Sequence, residues 1–476
     1  MQKQLIPLLA GPLVALIIYF TPAPTGLPPL AWLMLGLTLW MVIWWISEVV
    51  PIAATALLPI PMLPLLEILP LSKVTASYGH KFIFLFLGGF LIAGAMQRWG
   101  LHKRTALTVI TKFGTSPQAI IAGFMVATAF LSMWISNTAS TIMMFAVAVS
   151  LIEFLGEQTT DKKNMRRFAI SLLLGIAYSA SIGGVGTLIG TAPNAFIAGY
   201  LSDIHKTEIS FLTWMQIGVP VIILMLPCAW LLLTKILFPV SELKLKNADQ
   251  VISGELQKLG PMNYGERVVL TVFTATAFFW IFGKQISQFS GLTITDTGVA
   301  IAASIVLFAW PVSLTKKDFI LTAKELQNVP WGILILLGGG IALAAGLKQS
   351  GLAEWIGTTV STFGVTQWGL VALGCIMIVY LTELTSNTAS TATFVPVFGA
   401  VAVGAGLDPV LSTIPIAIGA SMAFMMPVAT PPNAIVFAYP DLTIRDMIRT
   451  GFWLNIIAVL VCFSVIFLLA ELVLGK

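Results

Sequence analysis

The tripeptide Ser-Asn-Thr occurs twice, at 136–138 and 386–388, each time in the middle of an apolar stretch too long for one membrane span. Its surroundings recur with it: WISNTASTIMMF in the first copy reads LTSNTASTATFV in the second, 250 residues later. Upstream, GGFLIAGAMQRWGL at 88–101 resembles GGIALAAGLKQSGL at 339–352. Downstream, Gly190-Thr191-Ala192-Pro193-Asn194 matches Ala429-Thr430-Pro431-Pro432-Asn433. Three blocks in the same order make the chain two halves of one design, which limits it to folds built by internal duplication.

Composition says where that duplication sits. Of 476 residues, 58% are hydrophobic and 9% charged, against about 25% charged in a soluble domain. So few charges cannot coat a water-soluble surface, and the bilayer is the solvent. Apolar runs near 5–22, 30–46, 51–70, 82–97, 168–200, 213–238, 267–283, 296–313, 331–347, 409–440 and 451–474 predict an all-α polytopic membrane protein with about eleven transmembrane helices. The first run reads as a membrane helix rather than a cleaved signal. The two broken runs, about 117–155 and 366–402, read as re-entrant hairpins that enter and leave on one side.

An odd number of crossings puts the termini on opposite sides. With the N-terminus inside, only Lys73, Lys81, Lys206, Lys284, Lys348 and Lys476 face outward; the other 19 of 25 basic residues, Lys244, Lys246 and Lys316 among them, face the cytoplasm. The first hairpin then enters from the cytoplasm and the second from outside, which inverts the halves. The net charge of +5 therefore marks sidedness, and nucleic acid is not an expected partner. Cys228, Cys375 and Cys462 lie in apolar runs without CxxC spacing, and His80, His102 and His205 are scattered, so neither set predicts a metal site or an organic cofactor.

Hydroxyls and an amide at membrane depth are tolerated where protein buries them or they line a polar cavity. A hairpin tip carrying Ser136, Asn137 and Thr138, or Ser386, Asn387 and Thr388, offers those donors together with the N–H groups and positive dipole end of its returning helix. That chemistry suits an anion. Single Ser and Thr residues often satisfy only backbone carbonyls, but the same tripeptide in two inverted hairpins points to a site. SASIGGVGTLIGTAPN at 179–194 and SMAFMMPVATPPN at 421–433 carry Pro193 and Pro431-Pro432, which interrupt helices and free carbonyls; with nearby hydroxyls these form hard ligands suited to sodium. No Gly-Lys-Ser/Thr follows the glycines, so they are not a nucleotide loop. Glu383 is the one acidic residue well inside an inferred segment, a cation ligand, proton carrier or structural acceptor; the first half has Met133 in its place. Trp134 reads as a packing residue.

These paired motifs resemble the divalent anion/sodium symporter family, which includes di- and tricarboxylate transporters, and the resemblance spans nearly the whole chain. It implies a homodimer whose protomers each hold a scaffold and a transport domain that moves like an elevator. On this sequence that implies scaffold helices in 1–115 and 267–365, transport elements in 116–239 and 366–476, and a cytoplasmic linker at 240–266. By position it implies one sodium site at Ser132, Ser136, Asn137 and the carbonyl of about Gly190. A second would use Thr382, Thr385, Asn387 and the carbonyl near Ala429. Substrate carboxylates would rest on Asn137, Thr138, Asn387 and Thr388, with Thr191, Thr430 and Pro431 nearby.

The expected function is sodium-coupled uptake of a C4-dicarboxylate across a bacterial inner membrane, with the N-terminus cytoplasmic and the C-terminus external. Lipid, substrate and a second copy are the expected partners. A sodium-independent di- or tricarboxylate exchanger, or a sodium-coupled citrate or sulfate transporter, would use similar donors. An exchanger of this family carries cationic side chains in place of the ions, and this sequence has none there. An enzyme is not expected: no Ser-Lys, His-paired or Asp-paired catalytic set lies within the spans.

Overall fold

The computed structural model describes residues 2–240, 248–315 and 317–474. Lys244, Lys246, Lys316 and Lys476, and residues 241–247 of the expected linker, lie outside the described residues. The described residues are mostly helical, as an apolar environment demands of a backbone that must satisfy its own hydrogen bonds. Among the described residues, eight helices are long and apolar enough to cross a membrane, and shorter apolar helices fill in between them. The 51–70 run is not one helix. Pro51 precedes the short helix Ile52–Thr55 and Pro59 opens the next, Pro59–Leu65, and both fold against helix Trp331–Gln349.

Both polar tripeptides break their runs. Helices Pro117–Ser132 and Asn137–Gln158 form the first hairpin, and Gln367–Leu381 and Asn387–Gly404 the second. Each packs on a helix that is itself interrupted. The first hairpin lies on Lys162–Gly184, which resumes as Ala192–Ile204; the second lies on Pro409–Gly419, which resumes as Pro431–Phe437. The halves interlock, since Lys162–Gly184 touches Pro431–Phe437 and Ala192–Ile204 touches Asn387–Gly404. Helix Lys162–Gly184 is buried along most of its length, whereas Tyr264–Ser290 leaves Phe278, Phe279 and Phe282 exposed at the periphery. The interrupted helices thus occupy the centre.

Helix Lys81–Arg98 is anchored at both ends. Lys81 pairs with Glu208 at 2.6 Å; Arg98 reaches Asp318 at 2.9 Å and Glu325 at 3.4 Å. Near the latter end, Arg104 pairs with the buried Glu266 at 3.0 Å, while Glu266 also closes a capping box with Asn263 at the start of Tyr264–Ser290.

Candidate functional site

Four helices begin at one cavity, and the residue before each is Ser or Thr. Ser136, Thr191, Ser386 and Thr430 hold the N-cap positions of Asn137–Gln158, Ala192–Ile204, Asn387–Gly404 and Pro431–Phe437; the side chains of Ser136 and Thr430 accept from the Ala139 and Asn433 N–H groups, and those of Thr191 and Ser386 make no cap bond. All four caps line a cavity of about 590 Å³ together with Asn137, Thr138, Asn387 and Thr388. The first-turn N–H groups of a helix lack intrahelical partners, so the Asn137 and Asn387 helix starts offer donors to the cavity, whereas Pro193 and Pro431-Pro432 remove donors from the other two and leave mainly the dipole. The sequence permits this because Ser and Thr are strong N-caps, and the prolines at 193 and 431 need no N–H at a helix start.

Behind each tip lies a cluster of oxygens. The Ser132 hydroxyl stands 2.6 Å from the Asn137 amide oxygen and 2.7 Å from the carbonyl of Ala180. Across the pseudo-symmetry, the Thr382 hydroxyl stands 2.7 Å from the Asn387 amide oxygen and 2.8 Å from the carbonyl of Ala420. Both hydroxyl-bearing residues are fully buried. A hydroxyl has one proton, so with the amide oxygens turned towards these hydroxyls one oxygen pair in each cluster has no proton between its members. A small hard cation satisfies such a cluster; a fourth oxygen alone would not.

The interrupted stretches are held by the asparagines that end the two downstream blocks. Asn194 donates to the carbonyls of Gly184 at 2.9 Å and Thr187 at 2.7 Å; Asn433 donates to those of Met426 at 3.0 Å and Ala423 at 3.2 Å. Gly190 sits where no side chain fits: a Cβ there would lie 2.3 Å from the Gly184 oxygen, and one on Gly184 would lie 2.6 Å from the Asn137 amide oxygen. Asn137, Gly184 and Gly190 are therefore stacked in contact. Gly190, Ala429, Thr385 and Pro431 line the cavity, while Ser132 and Thr382 stand behind it. Every residue singled out for substrate or sodium is thus gathered around this one cavity.

Among its described lining residues the only charged one is Glu48, exposed at the end of helix Pro29–Ser47; no Lys, Arg or His takes part. Phe86, Phe90, Ile333, Leu384 and Val428 supply apolar walls. Trp134 turns away and stacks on Phe211 and Trp280, consistent with its reading as packing.

The model of the sodium:sulfate symporter transmembrane region matches residues 2–474. The chain belongs to the sodium:sulfate symporter family. Its curated relatives include the sodium-dependent dicarboxylate transporter SdcS of Staphylococcus aureus. Those of strains MSSA476 and USA300 are each 41% identical over 99% of this chain and 92% of the relative. Among solved structures, the YdaH transporter of Alcanivorax borkumensis superimposes with a TM-score of 0.60 at 13% identity, covering 91% of this chain and 98% of that one. Neisseria gonorrhoeae MtrF gives 0.57 at 11% identity, covering 95% and 96%. At such identities the likeness is one of fold.

For this symporter-family chain, sequence reasoning missed the carbonyls of Ala180 and Ala420 and the stapling roles of Asn194 and Asn433. The asparagines carried a signal, being repeated at the same place in both blocks. The carbonyls carried none, because every residue has one. The sequence leaves Glu383 open as cation ligand, proton carrier or structural acceptor; its carboxylate is buried against residues 424–426.

Proposed function

We propose that this membrane transporter couples sodium to the uptake of a C4-dicarboxylate such as succinate, malate or fumarate. The observation that carries the reading is the pair of pseudo-symmetric oxygen clusters, Ser132–Asn137–Ala180 and Thr382–Asn387–Ala420, flanking a cavity edged by both hairpin tips. Two tips on one cavity give one donor set for each carboxylate of a dianion. Cations in the adjoining clusters would neutralise it without a basic side chain. The sodium-dependent dicarboxylate transport named for the SdcS relatives supports the same reading. Absence of Lys, Arg and His from the described lining favours symport over sodium-independent exchange.

In this reading Ser132, Ser136, Asn137 and Gly190 serve the first sodium ion, and Thr382, Thr385, Asn387 and Ala429 the second. Ser136, Asn137, Thr138, Ser386, Asn387, Thr388, Thr191, Thr430 and Pro431 receive substrate. Each amide then serves ion and anion together, so sodium binding shapes the substrate site. The hairpins and interrupted helices travel as one body past scaffold helices such as Lys81–Arg98 and Trp331–Gln349, in a homodimer with its N-terminus in the cytoplasm. Uptake of succinate into proteoliposomes with and without an inward sodium gradient tests the proposal; equal uptake in both overturns it. Competition by citrate and sulfate separates the dicarboxylate reading from its closest relatives.

A further inference from the structure

Glu383 sits at the second tip, one residue after Thr382 and four before Asn387. It is 4% exposed, and four donors surround its carboxylate. Phe424 N–H at 2.7 Å and the Asn455 side-chain amide at 2.7 Å meet Oε1; Met425 N–H lies 2.9 Å from Oε1 and 3.0 Å from Oε2; Met426 N–H meets Oε2 at 3.0 Å. A carboxylate offers about four lone-pair positions, and these donors use them. A cation approaching Glu383 would meet N–H dipoles pointing the same way as its own field, which makes the carboxylate unsuitable as a direct sodium ligand.

The interruption in the second half explains the need for an acceptor. Between Pro409–Gly419 and Pro431–Phe437 the chain leaves helical geometry over residues 420–430, and the N–H groups of 424–426 point inward together. Three buried donors without a partner would be costly. The corresponding stretch in the first half is shorter and has the opposite requirement. There a freed carbonyl, that of Val185, takes the Trp214 indole N–H at 2.8 Å, and Thr187 bonds the Met133 carbonyl. At the place of Glu383 the first half has Met133, which meets this stretch through its backbone carbonyl rather than through a side-chain acceptor.

We propose that Glu383 is a positioning residue for the second sodium site. It fastens the tip bearing Thr382 and Asn387 to the interrupted stretch that presents Ala429, with Asn455 of helix Ile444–Leu474 fixing the carboxylate from behind. The two sodium sites are then built differently: the first is held by neutral groups alone, the second by a buried carboxylate. This inference rests on the sodium-symport reading, which wild-type uptake tests separately.

The experiment measures succinate uptake by proteoliposomes of wild type, Glu383→Gln, Glu383→Asp and Asn455→Ala over a range of sodium concentrations and pH. Glutamine keeps the shape but aims an NH2 at the donors. The expected result is a sodium half-saturation raised about tenfold or more in E383Q, from loss of hydrogen bonds to a charged acceptor. N455A shows a smaller rise in the same direction, turnover at saturating sodium stays within about threefold of wild type, and the pH profile is unchanged. E383D, which keeps the charge, recovers part of the sodium affinity. Sodium-dependent thermal stabilisation of purified protein reads the same shift without transport, so a poorly turning-over variant still reports. Unchanged sodium half-saturation in E383Q overturns the proposal. So does a flattened pH profile, which would make Glu383 a proton carrier, or an N455A variant like wild type. If wild type itself ignores sodium, the symport reading fails instead.

Discussion

The hydroxyl of Ser132 lies 2.6 Å from the amide oxygen of Asn137, and Thr382 stands 2.7 Å from Asn387 in the same relation. Two side chains five residues apart, one ending a helix and the other starting the next, are brought together by the turn between them. The same amides line the cavity, so one group joins the buried oxygen cluster to the open space.

Asn137→Ala and Asn387→Ala are therefore expected to abolish transport and to weaken substrate and sodium binding together, each by about tenfold to a hundredfold. Paired titrations with succinate and sodium, followed by thermal stabilisation, check this. A variant with wild-type sodium dependence would contradict the shared role.

Ser132→Ala and Thr382→Ala should separate the two ligands. Neither residue lines the cavity, so sodium half-saturation rises about tenfold while the succinate KM at saturating sodium stays near wild type. Initial uptake rates over a sodium–succinate grid give both constants.

Gly190→Ala places a methyl group where the Gly184 carbonyl stands, and Gly184 in turn contacts Asn137. Loss of sodium-dependent uptake, with protein still folded by size-exclusion chromatography, is the expected outcome. Retained uptake would remove Gly190 from the site.

Burial is the main cause that holds the His205 imidazole down to about 4 from its ordinary 6.5, with Lys348 adding to it and Asp408 opposing it. The unfolded chain then takes up this proton near pH 6.5 and the folded one near 4, so acid favours unfolding. Its contribution is whole above about 6.5, is lost as pH falls from there towards 4, and changes no further below that. Thermal unfolding over this range should show a shallower loss for His205→Gln than for wild type.

Ion pairs of different burial should differ in worth. Arg104 and Glu266 are 15% and 4% exposed, against 48% and 63% for Lys81 and Glu208. Arg104→Ala leaves a buried carboxylate at a helix start and is expected to cost about 3–5 kcal/mol, whereas Lys81→Ala costs under about 1 kcal/mol. Thermal melts of the two variants compare them directly.

Much of this was legible before any coordinates. Apolar run lengths set the membrane fold, and the repeated Ser-Asn-Thr blocks located both tips because a polar tripeptide at membrane depth needs a purpose. The 51–70 run differs, since apolar content alone does not show that the chain breaks before Pro59 and folds into short helices.

The sequence by itself determined that the chain lives in a bilayer, that it is duplicated, and which hydroxyls and amides the duplication repeats. Only the tertiary structure decided which backbone groups join them. Ala180 reaches Ser132, Ala420 reaches Thr382, and residues 424–426 reach Glu383, across some 40 residues of chain. A carbonyl or N–H is common to nearly every residue and carries no side-chain signature. It becomes available only where a helix breaks, and which partner it meets depends on how the hairpin packs against that break.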